Sequence, residues 1–214
     1  MSGPFATLAG AAALTILLPA LAAAQQALPR PRLEGGMPLM QALSERATNR
    51  EFSPAALPPQ TLGDLLWAAA GINRPESGKR TTPSARNFQE VDVYVATADG
   101  LFLYDPKTHA LGLVVTEDLR GLTGRQEFVA VAPVNLIFVA DLARMGNSSE
   151  TDQTIYSSIA AGAMVQNVYL FAASAGLSTV VRGLVDREPL ARAMQLRPQQ
   201  RIIICQTVGL PAGG

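Results

Sequence analysis

A long apolar segment rich in small residues constrains the fold of this chain more than any other feature. Residues 161–177 contain no Asp, Glu, Lys or Arg, and Ala, Gly and Ser recur along them. This composition predicts a helix that is buried nearly all round, so other elements must cover it on most sides. Gly176 predicts the left-handed residue at which the helix ends. Alone, the segment is typical of an ordinary core helix with a glycine cap.

Helix and strand patterns interleave through the rest of the chain. Apolar spacing predicts one helix over 38–46 and a second that opens at Pro58 and Pro59 and stops at Gly71. Further predictions are strands at 91–97, 101–104, 111–115, 134–140 and 202–211, a short helix at 188–195, and a mobile loop or lid at 144–153. Because the strands at 91–115 form an antiparallel meander, we expect an α+β fold.

A turn at residues 81–89 has the composition of a ligand contact. Pro83, Ser84 and Ala85 are small, so a flat ligand can approach the backbone there. The amide of Asn87 offers both a donor and an acceptor, which suits a heterocycle edge such as the pyrimidine side of a flavin. The turn leads directly into the predicted strand at 91–97 and so places these groups at a strand edge.

Two further segments carry candidate contacts. Arg46 and Arg50 flank the hydroxyl of Thr48, and two guanidinium groups around a hydroxyl suit a phosphate or a ribityl chain. The alternative for this segment is a solvated loop after a helix. The loop at 178–184 follows the long helix, and its backbone can face a ligand at Gly183.

Together these segments resemble the nitroreductase superfamily of FMN-dependent oxidoreductases. The residues that carry the resemblance are Arg46, Thr48, Arg50 and Phe52; Pro83, Ser84, Asn87 and Gln89; Gly162, Gln166, Asn167, Leu170, Ala175, Gly176 and Leu177; and a closing strand through Gly209 and Pro211. The similarity runs from about residue 38 to the end. It is greatest to the short branch that includes oxidases converting peptide azolines to azoles.

The resemblance implies a fold and a set of roles. A domain over 38–214 is expected, with a central, mostly antiparallel sheet flanked by helices and a homodimer that shares its sites between subunits. FMN would be the cofactor. Its phosphate, ribityl chain and ring would contact residues of three segments: Arg46, Ala47, Thr48 and Arg50; Pro83, Ser84, Ala85 and Asn87 from the partner subunit; and Val181, Arg182 and Gly183, where a backbone amide would face N5.

The chain departs from the family pattern in three places. Leu210 stands where the family usually has Tyr, and Pro211 is followed by no basic residues. Phosphate binding would therefore rest on Arg46 and Arg50. The sequence also shows no clear Lys–Tyr pair of the kind that azoline oxidases use, which counts against that activity.

The first residues indicate export. Residues 5–24 are apolar and end in three alanines before Gln25, which is typical of a secretory signal peptide over 1–24. The alternative is a membrane anchor, since the segment is just long enough to span. Residues 25–37 are predicted to be a Pro/Gly-rich linker. We expect a periplasmic or secreted protein with no membrane span after cleavage.

Composition excludes several classes of function. The 17 basic residues balance the 17 acidic ones, so the chain has no electrostatic footprint for nucleic acid. The single cysteine, Cys205, excludes an intramolecular disulfide and is expected to be buried. One Cys and one His argue against a zinc site, and His109 is expected at the surface beside a turn.

The resemblance to FMN-dependent oxidoreductases implies an enzyme whose cofactor carries the chemistry. The expected activity is transfer of hydride or electrons through flavin N5 between a donor and a small organic substrate of nitro-, quinone- or azoline-like type. The alternative is an exported flavin- or ligand-binding protein of the same fold without redox turnover. The loops at 72–80 and 144–153 are expected to select the substrate.

Overall fold

A seven-stranded antiparallel sheet organises the chain in the computed structural model, which describes residues 25–213. The strands are β1 (Gln25–Ala27), β4 (Val91–Thr97), β5 (Gly100–Asp105), β6 (Ala110–Val115), β7 (Val134–Asp141), β8 (Ser178–Arg182) and β9 (Gln200–Gly209), and β2 (Ile72–Arg74) with β3 (Lys79–Arg80) forms a separate hairpin. The order across the sheet is β1-β6-β5-β4-β7-β9-β8, so β8 lies at an edge. The predicted α+β fold is confirmed.

Within residues 25–213, five α-helices accompany the sheet. They are α1 (Leu39–Glu45), α2 (Pro59–Ala70), α3 (Phe128–Val131), α4 (Glu150–Ala175) and α5 (Arg187–Ala193). Helix α4 ends where predicted, since Gly176 adopts the left-handed conformation with φ 65° and its N–H bonds back to the last turn. Helix α2 ends at Gly71, where the backbone becomes extended with φ −67° and ψ 159°. A Cβ at this position would overlap the Trp67 ring, so the close approach of that ring requires glycine.

The core lies on both faces of the sheet because side chains alternate along each strand. On β4, Val93 and Val95 face the layer of α2 and α4, whereas Tyr94 and Ala96 face the layer that contains α5. All eight residues of the inner strand β7 are buried. This two-sided burial leaves the sheet edges at β1 and β8 and the ends of the strands as the places where a ligand can reach the backbone.

The prediction of a loop over 144–153 is wrong in its second half. Helix α4 begins at Glu150, eleven residues before the apolar segment, because the Ser149 side chain caps it by accepting a hydrogen bond from the Asp152 N–H at 3.0 Å. A short 3-10 turn over Leu142–Met145 begins this connection. Arg144 is held there by Asp92, so the segment is not an unattached lid.

The segment at 25–37, predicted as a linker, is attached to the domain along its length. Strand β1 pairs with β6, and the Arg32 backbone and guanidinium both bind the buried Asp64 carboxylate at 2.8 Å. Further along, the Met37 N–H donates to Ser174 Oγ at 2.8 Å. The signal peptide expected at 1–24 lies outside the described residues.

The expectation of a surface position for His109 is wrong. Its ring is half buried, with Nδ1 2.9 Å from the Tyr104 hydroxyl and Nε2 2.9 Å from the Pro29 carbonyl oxygen. His109 lies in the turn directly before β6. The only histidine of the chain therefore connects this turn to the N-terminal segment before α1. Cys205 is buried, as expected.

Candidate functional site

The Tyr169 side chain joins two of the predicted contact segments. Its hydroxyl lies 3.0 Å from Thr48 Oγ1 and accepts a hydrogen bond from the Val181 N–H at 3.0 Å. The guanidinium carbon of Arg46 lies 5.3 Å from the centre of the Tyr169 ring, within cation–π distance. One buried residue of α4 therefore holds the segment 46–50 against β8.

Along the outer edge of β8, every second residue directs its backbone N–H and C=O groups away from β9. The Thr179 carbonyl accepts from the Asn49 N–H at 3.0 Å, and the Val181 N–H is bound by Tyr169, so both residues face away from β9. In an antiparallel ladder the Arg182 amide then faces β9, and the next outward amide is that of Gly183. Gly183 is exposed, with no atom within 4 Å of where a Cβ would lie. Its N–H donates to no residue between 25 and 213 and so remains available to a ligand.

Two arginines at this edge have no carboxylate partner. Neither Arg46 nor Arg50 forms an ion pair with any residue between 25 and 213. Ala47, Thr48 and Arg50 are exposed, and Arg46 is half buried against Tyr169. A guanidinium without an internal partner can donate two parallel hydrogen bonds to an external phosphate or carboxylate.

The Arg182 side chain is committed to the core. It is 4% exposed and donates to Thr207 Oγ1 at 2.9 Å, to the Thr123 carbonyl at 2.6 Å and to Asn135 Oδ1 at 2.9 Å. Burial lowers the pKa of this guanidinium, and all three acceptors are neutral. Arg182 was a predicted contact, and only its backbone atoms remain available to a ligand.

The predicted turn at 83–87 is held in an unusual backbone conformation. Arg86, Asn87 and Gln89 have φ values of 49°, 57° and 48°, which L-residues adopt at a cost. Ser84 Oγ accepts from the Gln89 N–H at 2.9 Å, and Asn87 Oδ1 accepts from Gln89 Nε2 at 3.1 Å. Pro83 and Asn87 are exposed and Ala85 is half buried. The Asn87 NH2 group makes no hydrogen bond to residues 25–213 and can donate to a ligand.

A groove of about 450 Å³ runs beside this turn. Its ionisable residues are Arg74, Lys79 and Arg80, and no carboxylate lines it. Pro83, Ser84 and Asn87 form the opposite wall. The groove is therefore positively charged, which suits the electron-rich edge of a heterocycle or an anion.

The two groups of predicted residues lie on different sides of α4 within one chain. Asn167 Nδ2 donates to the Ala68 carbonyl of α2 at 2.9 Å, and the turn at 81–82 hydrogen-bonds to the same end of α2. Tyr169, which holds the other group, is two residues from Asn167 and so about 200° around the helix. No hydrogen bond between residues 25 and 213 joins the groups.

Comparisons with known proteins agree on one family. The model of the nitroreductase family matches residues 43–210. A Methanocaldococcus jannaschii protein, provisionally named a nitroreductase, is 32% identical over 155 residues, covering 68% of this chain and 78% of that protein.

The chain belongs to the nitroreductase family.

Solved structures extend this agreement to the fold. A provisionally named nitroreductase from Ralstonia eutropha is 46% identical with a TM-score of 0.85, over 89% of this chain and 90% of that one. A relative from Desulfovibrio desulfuricans, solved in complex with FMN, is 25% identical with a TM-score of 0.60, over 83% and 88%. The Escherichia coli microcin synthetase complex, at 20% identity and a TM-score of 0.66 over 86% and 77%, shares the fold. The resemblance found in the sequence is confirmed.

For a nitroreductase-family chain, the donors at this site suit a phosphorylated heterocycle. The segment 46–50 beside β8 carries two guanidinium groups and a hydroxyl, and the strained turn carries an amide side chain. These donor types suit the phosphate, hydroxyls and ring edges of a phosphorylated heterocycle. Residues 25–213 hold no cluster of three His, Cys, Asp or Glu side chains that could bind a metal ion.

Sequence reasoning missed Tyr169, and it favoured a solvated loop for Arg80 over a position near the flavin. Tyr169 lies inside the motif helix, and its one available signal is a hydroxyl in an otherwise apolar segment, which needs a partner when buried. Arg80 gives no signal of this kind, because a cation in a polar loop is usually solvated. Only the tertiary structure shows that its side chain lines the groove.

Proposed function

We propose that the chain is an FMN-dependent oxidoreductase that transfers hydride or electrons between a donor and a small nitro-, quinone- or azoline-like substrate. Membership of the nitroreductase family and the FMN complex of the Desulfovibrio relative support a flavin chemistry. The observation that carries the proposal is that Tyr169 holds the segment 46–50 against β8, the strand that leads into exposed Gly183, while Arg46 and Arg50 have no ion-pair partner between residues 25 and 213.

Each residue has a defined task in this proposal. Bound FMN supplies hydride exchange at its N5 atom. Arg46 and Arg50 hold the phosphate and the ribityl chain by charge-assisted hydrogen bonds, with Thr48 between them. The Gly183 N–H orients the ring by donating to N5. Tyr169 fixes the distance between these groups, because it binds both Thr48 and β8.

A homodimer is part of the proposal. Helix α1 packs on α4, and together they expose apolar side chains: Leu39 is 63% exposed, Met40 76% and Ile159 62%. Ile155 and Gly162 continue the stripe on α4, and open space above Gly162 allows a second helix to approach closely. A continuous exposed apolar surface marks an association site, and a second copy of this chain is its proposed occupant.

The dimer also explains why the two contact groups lie apart. The turn at 83–87 faces away from Tyr169 within one chain, so it completes the flavin site of the partner subunit. Asn87 then donates its free NH2 group to the ring edge, and Pro83, Ser84 and Ala85 pack along the ring. A flavin bound at this boundary is covered from both sides, which excludes water from the reacting atom.

Export to the periplasm or the medium is proposed from the leader sequence. A chain that functions there needs a donor other than cytoplasmic NAD(P)H. Cell fractionation with N-terminal sequencing of the mature protein tests this point. A start at Gln25 in the soluble extracytoplasmic fraction supports export, and an intact Met1 in the cytoplasm contradicts it.

The cofactor is tested by adding FMN to the purified chain and recording its visible spectrum and fluorescence. We expect bound FMN, an affinity about tenfold weaker in Arg46→Gln, and no change in the surface control Arg192→Gln. A chain that fails to bind FMN contradicts the proposal. If the chain binds FMN but no electron donor supports turnover, it is the binding protein of the alternative hypothesis.

A further inference from the structure

A second concave region, here named the Arg80 chamber, lies beside the groove that Pro83, Ser84 and Asn87 line. It is formed by the β2–β3 hairpin, the N-terminal segment and the β5–β6 turn, and its volume is about 540 Å³. This volume suits a small organic molecule. Its apolar wall consists of Trp67, Ile72, Pro31, Pro75 and Pro106. Its polar side chains are those of Arg80, Gln89, Lys107 and His109.

The formal charge of the lining is entirely positive. Arg80 and Lys107 line the chamber, and no carboxylate does. Asp105, the acid closest to Lys107 in sequence, caps its own turn instead: Oδ1 accepts from the Lys107 N–H at 2.9 Å and Oδ2 from the Thr108 hydroxyl at 2.8 Å. Lys107 forms no ion pair with another residue of 25–213. The lining of the chamber therefore offers an anionic ligand two cations and no acid, and Asp92 and Asp105 lie in the adjoining cavity that Arg80 and Lys107 also line.

Arg80 retains unused hydrogen-bonding capacity. Its Nη1 donates to the Val91 carbonyl at 2.9 Å, whereas its Nε is buried without a partner. The neighbouring Asp92 carboxylate is held by both terminal nitrogens of Arg144, at 2.8 and 2.6 Å. Buried Glu90 forms no ion pair with Arg80. The Arg80 Nε is enclosed by the protein, but Nη2 is not enclosed and donates to no residue between 25 and 213, so it can bind a ligand oxygen.

The other polar groups of the chamber are already committed. Since the Pro29 carbonyl can only accept, His109 Nε2 carries the proton and Nδ1 accepts from the Tyr104 hydroxyl. The Trp67 indole N–H donates to the Ile72 carbonyl at 3.2 Å. Trp67 therefore offers an aromatic surface rather than a hydrogen bond. A planar apolar body fits this wall.

Gln89 connects the chamber to the flavin-contact turn. Its Nε2 donates to Asn87 Oδ1 at 3.1 Å and to the Gly78 carbonyl at 3.0 Å, and Gly78 lines the chamber. Arg80 lines both the chamber and the groove. A molecule in the chamber is thus one residue away from the proposed flavin contact.

We propose that the Arg80 chamber binds a small planar aromatic or heteroaromatic carboxylate. The carboxylate binds between Arg80 and Lys107, and the ring lies against Trp67. Naming this molecule the substrate of the enzyme rests on the proposed function, whereas the binding itself does not. If this molecule is the substrate, the enzyme prefers anionic members of the substrate class to their neutral counterparts.

The single tryptophan of the chain reports directly on this site, because Trp67 is a chamber wall. Titration of the full chain, as purified, with benzoate or with its neutral counterpart benzamide should change Trp67 fluorescence. We expect benzoate to bind about tenfold more tightly, because its charge meets two cations. We expect Lys107→Gln and Arg80→Gln to weaken benzoate binding about five- to tenfold, with Arg192→Gln unchanged.

Equal affinities for benzoate and benzamide overturn the proposal, as does native benzoate affinity in Lys107→Gln and Arg80→Gln. If Arg80→Gln does not fold, the exposed Lys107→Gln decides the outcome alone. Repeating the titration with FMN added separates the two proposals. Benzoate binding by a chain that rejects FMN supports the chamber and contradicts the flavin enzyme. FMN binding without benzoate binding supports the flavin enzyme and contradicts the proposal for the chamber.

Discussion

The Tyr169 hydroxyl accepts a hydrogen bond from the Val181 N–H at 3.0 Å. A side chain of α4 thus binds one outward-facing amide of β8. The next outward-facing amide along the chain, on Gly183 just after β8, remains for a ligand. The same hydroxyl contacts Thr48, so one oxygen atom links the segment 46–50 to β8 beside the hydrogen bond from the Asn49 N–H to the Thr179 carbonyl.

Replacing Tyr169 with Phe should loosen this edge without a change in packing volume. The variant leaves the Val181 N–H without a partner, which costs about 1–2 kcal/mol in the free energy of unfolding. FMN affinity should fall about three- to tenfold, since the segment 46–50 loses one of its attachments while the hydrogen bond from the Asn49 N–H to the Thr179 carbonyl remains. Denaturant unfolding and FMN titration measure the two effects. Tyr156→Phe is the matched control on the same helix, because the Tyr156 hydroxyl makes no hydrogen bond to residues 25–213.

The Gly183 amide is tested by removing its hydrogen. Gly183→Pro eliminates the N–H, whereas Gly183→Ala keeps it and adds a methyl group into open space. We expect the Pro variant to bind FMN about fivefold more weakly and the Ala variant to stay within about twofold of the native chain. Equal FMN affinities in the two variants would show that this amide does not contact the flavin.

Gly124 makes room for the buried Arg182 guanidinium. A Cβ at this position would overlap Nη1, so Gly124→Ala should displace the side chain from its neutral acceptors. We expect a loss of at least about 2 kcal/mol in the free energy of unfolding. Gly121→Ala is the control, since its Cβ would meet nothing within 4 Å. Similar denaturation midpoints for the two variants would contradict this role of Gly124.

Cys205 should make stability depend on pH in alkaline solution. Burial raises the pKa of its thiol from 9.0 to about 11. The folded state therefore keeps a proton that the unfolded state loses, so this contribution is complete below pH 9 and disappears as pH rises through about 11. The stability difference between the native chain and Cys205→Ala should shrink by on the order of 2 kcal/mol from pH 8.5 to 11. A constant difference would contradict the assignment.

Most of the fold follows from local patterns in the sequence. Alternation over 91–115 gives the meander, and Gly176 gives the end of α4, because both depend on residues close in the chain. The start of α4 at Glu150 was missed, since the polar first turn is stabilised by the Ser149 cap rather than by apolar spacing. The position of His109 was missed because its partners, Tyr104 and Pro29, include a residue eighty positions away.

The site is predictable only in part. The sequence identifies Arg46, Thr48 and Asn87 as polar residues in segments that suit a ligand. It cannot show that the Arg182 side chain turns into the core, because that depends on Thr123 and Asn135 from other elements. Those contacts form only when distant segments pack.

The central claim is an FMN site built from two copies of the chain. It is tested most directly with a mixed dimer of one Arg46→Gln/Arg50→Gln subunit and one Asn87→Gly subunit, purified through two different tags. Glycine is chosen because it removes the amide side chain but tolerates φ near 57°. Each variant alone should bind FMN weakly. The mixed dimer should bind one FMN with native affinity, because one of its two sites combines intact residues from both subunits. A mixed dimer that binds FMN no better than either parent would contradict a site shared between subunits.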